Sequence, residues 1–160
     1  MPSTLAAVFL AGASKLVLVL HALCAIALVG SVTHNAVLAV MHMRRRYTRL
    51  ALARTYVRII AVLFPLTLLV GALAYPSYRV HVRPWLDANV SLMSALFEVK
   101  EHWIGLGFGA LIAYVPLALR VDPRKPGSEV RLVQLLALAI AAAVWMALLS
   151  GLVAVAHRSI

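Results

Sequence analysis

The chain is poor in acid, in cysteine and in charge altogether: of 160 residues, Asp and Glu together number 5, Cys numbers 1, and charged residues make up 12%. A single cysteine, Cys24, excludes an internal disulfide and a cysteine-rich metal site. The N-terminal MPSTLAAVFLAGASK lacks the basic region that opens a secretory signal, so it reads as the beginning of the first helix, with Leu5 to Ser14 as a helical or interfacial extension ahead of Lys15. No period-2 alternation suggests strands, and no repeat or low-complexity tract is present. P-loop, dinucleotide-fold and nucleophile-elbow motifs are also missing. The one glycine-rich candidate, GLGFG at 105–109, lies inside an apolar helical pattern, which argues against nucleotide binding.

What is there is apolar. Hydrophobic residues make up 64% of the chain and the mean hydropathy is +0.97, whereas soluble domains sit near 45–50% apolar and about 25% charged. At roughly 20 residues per crossing, the length accommodates about four spans and no separate soluble domain. Four runs fit: about 16–43, 59–75, 103–119 with a helical extension from about 90, and 132–156. The expected fold is an all-α integral membrane protein, a four-helix transmembrane bundle forming a single domain over 1–160. Tyr75-Pro76 is expected to end the second helix and DPRKPG to form a turn, while Pro65 and Pro116 fall inside spans.

The net charge of +10 concentrates in two connections. Arg44, Arg45, Arg46, Arg49, Arg54 and Arg58 follow the first span, and Arg120, Arg124, Lys125 and Arg131 follow the third, while the middle connection carries only Arg79 and Arg83. The positive-inside rule then places the first two groups in the cytoplasm and both termini on the outer side, periplasmic in a bacterium, as expected of a multi-pass inner-membrane protein. This pattern accounts for the charge without a nucleic-acid partner. Tyr75, Tyr78, Trp85 and Trp103 fall near the outer boundary, where an aromatic belt belongs.

At that boundary SALFEVKEHWIGLGF, residues 94–108, carries Glu98, Lys100, Glu101 and His102. Lys100 and Glu101 read as helix-end charges that snorkel into water. Glu98 and His102, four residues apart, share a helix face, with Gly105 and Gly109 within ~60° of His102 and Lys100 almost opposite. The two glycines mark either close helix packing or room for a flat cofactor. His21, embedded in LVLVLHALCAIALVG, lies at the same depth counted from the basic end, and an ionisable group so embedded points to function. His81 and His157 fall on the same side. His34 lies ~20 Å further along the first helix, with Ala27 and Gly30 on its face. No histidine on the other spans matches its depth, which favours a hydrogen-bonding role. His42, beside the arginine run, reads as interfacial.

These residues suggest a b-type haem near the outer face, with His21 and His102 as axial ligands, Gly105 and Gly109 giving it room, Arg79 and Arg83 meeting its propionates, and Glu98 orienting an imidazole. Four spans with inward histidines resemble small membrane cytochromes b as a class. The haem assignment implies an electron carrier near the outer surface of the lipid bilayer, exchanging electrons with quinol and a partner redox subunit. A second reading is a copper, zinc or non-haem iron site built from His21, His102, Glu98 and Glu101, with His157 or His34; EVKEH matches neither a zinc-protease nor a di-iron spacing. A third is a cofactor-free accessory subunit of a respiratory or transport complex, in which the charged group makes interhelical ion pairs or a proton path. No catalytic residue is legible.

Overall fold

The computed structural model describes residues 11–47, 49–125 and 127–157, the side chains of Ala11 and His157 excepted. Most of the N-terminal stretch expected to extend the first helix, residues 5–10, lies outside them. A short 3-10 turn, Ala11–Ala13, leads into α1, Ser14–Met43. Then follow α2, Leu50–Ser77, a π-helical turn, Tyr78–Val82, α3, Arg83–Asn89, α4, Ser91–Arg120, and α5, Ser128–His157. No strand occurs among the described residues.

Each long helix packs on two others. Helix α1 lies between α2 and α5, and α4 closes the ring by contacting α5 and α2. The bundle is held by a core of Val32, Ile60, Phe64 and Ile140, each at most 2% exposed, with Leu28, Leu111 and Val144 around them. Helices α4 and α5 approach closely at Gly107, where an added Cβ would stand 3.0 Å from the Cβ of Ala143. The outward surface is apolar too: Val62, Leu69, Leu106 and Ile112 are each at least 64% exposed. A protein in water rarely presents such a continuous apolar girdle, whereas acyl chains suit it. Four helices are long and apolar enough to cross a membrane; at 1.5 Å per residue, a 30-residue helix such as α1 spans about 45 Å, beyond the ~30 Å hydrocarbon layer.

The second helix does not end at Tyr75-Pro76. It continues through Pro76, and with the π turn and α3 it forms a 40-residue helical run to Asn89. The break comes at Val90, whose φ of −147° and ψ of 67° leave the helical region. A proline inside a helix removes one hydrogen bond and crowds the preceding turn. The widened π turn directly after it takes up the misfit, and the Tyr78 N–H still reaches the carbonyls of Ala74 and Tyr75. Tyr78 also stacks on Phe97 of α4, ring centroids 4.0 Å apart, which ties the extension to the bundle. At the opposite, basic end, Arg54 and Arg58 lie on α2 rather than in a connection. The link between α1 and α2 is the short segment 44–49, where Arg45 and Arg49 adopt left-handed φ values of 58° and 59°.

Candidate functional site

At the end of the bundle away from the arginines, two polar side chains turn toward neighbouring helices, His21 of α1 toward α2 and Lys100 of α4 toward α5. His21, half-buried on α1, donates its Nδ1–H to the backbone carbonyl of Thr67 on α2, 3.1 Å away. The Thr67 hydroxyl is occupied within its own helix, donating to the Leu63 carbonyl at 2.7 Å. One turn beyond Thr67, Gly71 makes room for the imidazole: an added Cβ there would lie 2.8 Å from Cε1 of His21. Lys100 enters from α4 on the side packed against the bundle. Its Nζ lies 4.7 Å from the ring centroid of Phe97 and 3.6 Å from where a side chain on Gly151 of α5 would begin. The Nδ1–H bond fixes the His21 tautomer and leaves Nε2 as the free acceptor, the arrangement in which a protein imidazole binds a metal.

The helix face expected to meet His21 looks elsewhere. His102 is exposed, and its Nδ1–H returns to the Glu98 carbonyl of its own helix at 2.8 Å. Gly105 and Gly109 are likewise exposed, and an added Cβ on either would meet nothing within 4 Å. Helical geometry puts Lys100 and Gly107 on the opposite side of α4, and that is the side packed against the bundle. The structure therefore does not bring His21 and His102 together, and the lysine assigned to the solvated helix end is the one that turns inward. The Glu98 carboxylate is paired with Arg83, whose Nη2 lies 2.5 Å from Oε1, and Arg83 also lies 3.8 Å from Asp87. Arg79 sits over the Tyr75 ring at 6.0 Å. Glu101 and His81 are exposed, as is His34, which donates to the Gly30 carbonyl and stacks on Tyr56. The His157 side chain lies outside the description. Among the described residues, no group of three or more His, Cys, Asp or Glu is placed to hold a metal ion. The expected ligands fail to cluster because they project from different faces of α1 and α4.

A second feature was not legible in sequence. Near the basic end the four helices enclose a cavity of about 270 Å³ whose lining includes Asn35, His42, Tyr114 and Gln134. Asn35 donates to the Tyr114 hydroxyl at 2.7 Å, joining α1 to α4. His42, expected at the interface, is only 7% exposed. Nothing local in the sequence announces that three helices bring these residues together. Set against models of protein families, against curated proteins and against solved structures, the chain has no significant match to any of them.

Proposed function

We propose that this chain is a multi-pass membrane electron carrier in which His21 is an axial ligand to a b-type haem at the non-basic end of the bundle. One observation carries the reading: an imidazole inside an apolar bundle has its Nδ1–H tied to a neighbouring helix and its ring seated in the notch at Gly71, while its Nε2 makes no hydrogen bond among the described residues. A second-helix carbonyl is the partner that commonly orients a ligating histidine and raises its basicity. The donor set fits such a group in part. His21 supplies one nitrogen ligand. Lys100, rather than Arg83, is the cation placed to meet a propionate, because Arg83 is already paired with Glu98 and Asp87. His102, on the exposed face, supplies no second ligand at this depth, so the chain offers one axial imidazole. A single cysteine cannot form the two thioether links of a c-type centre, which leaves non-covalent binding. When bound, the haem would supply one-electron chemistry; the protein's own part is to hold it, orient it and exclude water.

The charge distribution supports an orientation with the arginine-bearing end in the cytoplasm and the His21 end outside, in a bacterial inner membrane. There the carrier would exchange electrons between quinol and a partner redox subunit. The test is an optical spectrum of purified protein with a pyridine extract. A b-type spectrum is expected, and one axial imidazole predicts that the reduced protein binds carbon monoxide. The second reading is a cofactor-free accessory subunit. It is favoured by His21 and Lys100 turning inward at the same end of the bundle, two basic side chains that could pass a proton. Colourless, metal-free protein would establish that reading instead.

A further inference from the structure

The cavity at the basic end is lined by amide and hydroxyl side chains able to bond a ligand. Gln134 on α5 is 8% exposed and lines this cavity, and since no fully buried side-chain nitrogen or oxygen is left unpartnered among the described residues, what remains accessible of its amide opens onto that space. In an apolar bundle the cavity that this amide lines is where a further hydrogen-bond partner for it can be. A second donor faces the same space. The Tyr114 hydroxyl accepts from Asn35, and its own O–H has no acceptor among the described residues. If the Asn35 amide is turned over, the tyrosine donates and an amide N–H is left instead, so the pair offers a spare donor in either orientation.

The rest of the lining limits the ligand. The inner wall is mostly apolar, with Leu38, Val57 and Ala137 beside the buried His42, whereas of the charged residues in the lining Arg54 and Arg124 are exposed and Asp122, of opposite sign, is partly exposed in the connection after α4. An anionic ligand would call for cations in the depth; uncharged donors over an apolar wall suit a neutral ring bearing carbonyl oxygens. A volume of about 270 Å³, just under the ~300–1,000 Å³ of sites for drug-sized ligands, takes a single ring and not a nucleotide. Asn35, Tyr114 and Gln134 each lie ~9–12 Å from their helix ends, a depth open to a lipid-soluble molecule.

We propose that this cavity binds the ring of a membrane quinone, with the Gln134 amide and the Tyr114–Asn35 pair donating hydrogen bonds to its carbonyl oxygens. The choice of a quinone rests on the electron-carrier reading; the site itself does not. The full chain, purified in detergent, is titrated calorimetrically with decylubiquinone, alongside Gln134→Leu and Tyr114→Phe, with helicity and thermal unfolding confirming that both variants fold. One-site binding is expected, weakened about tenfold or more in each variant, while the spectrum of any haem at His21 stays unchanged in Gln134→Leu. Binding that depends on Gln134 in haem-free protein would keep this inference and remove the haem. No quinone binding, or equal affinity in wild type and Gln134→Leu, would overturn the inference while leaving the haem reading in place. Selective retention of phosphatidylglycerol without quinone binding would also overturn it, assigning the cavity to a lipid headgroup.

Discussion

The imidazole of His21 occupies the space that a side chain at position 71 would need: Cε1 lies 2.8 Å from the Cβ that an alanine would place there, while Nδ1–H is held by the Thr67 carbonyl one turn away. Gly71→Ala therefore has a specific expected outcome. With His21 in place, the ring must leave its notch, and overpacking of this kind costs about 1–3 kcal/mol. In a His21→Ala background the same substitution meets no ring and is close to neutral. Thermal unfolding of the four proteins of this cycle measures the coupling. An equal loss in both backgrounds would show that Gly71 acts through something other than His21.

The glycines of α4 divide by face, which gives a contrast within one helix. Gly107 meets Ala143 and Phe64 at 3.0 Å and 3.4 Å from an added Cβ, whereas Gly105 and Gly109 meet nothing. Gly105→Ala and Gly109→Ala are expected to hold or raise the melting temperature, since alanine is favoured over glycine in a helix interior by about 1 kcal/mol. Gly107→Leu should lower it strongly. If Gly105→Ala abolished a haem spectrum with folding intact, the exposed face would have to be returned to the site.

Much of the architecture was legible because it is written locally. Helix α1 begins and ends within two residues of its expected span, since an apolar run bounded by Lys15 and the arginine triplet leaves little choice. The end of α2 was misjudged at Pro76 because the rule for proline is local, whereas the stacking of Tyr75 and Tyr78 on Phe97 joins segments far apart in sequence. The face of α4 was misjudged for a similar reason. Its helical wheel separates His102 from Lys100 correctly but cannot say which of them meets the other helices. That is decided by Gly151 and by Gly107 against Ala143, contacts supplied by α5. Gln134 and Tyr114 carried no spacing signal at all.

Asn35 and Tyr114 make the buried polar link between α1 and α4, at 4% and 3% exposure. Tyr114→Phe leaves the Asn35 amide unpaired in an apolar setting and should cost about 1–3 kcal/mol. Pairing it with Asn35→Leu removes both polar groups and should recover most of that loss. Chemical unfolding in mixed micelles measures both, and no recovery in the double variant would mean that the two residues are not each other's partners.

Arg83 and Glu98 form an ion pair at partly exposed side chains, 31% and 54% accessible. Such a pair contributes at most about 1 kcal/mol, so Glu98→Gln should change stability little and leave any cofactor spectrum unaltered. Loss of the spectrum in Glu98→Gln would place this carboxylate in the functional site.

On the proposed reading His21, and not His102, holds a haem. The most direct measurement is the reduced-minus-oxidised spectrum of the purified chain together with its His21→Ala and His102→Ala variants, each confirmed folded by circular dichroism. A b-type spectrum in wild type, lost in His21→Ala and retained in His102→Ala, is expected. A colourless wild type, or a spectrum lost in His102→Ala and kept in His21→Ala, would contradict it.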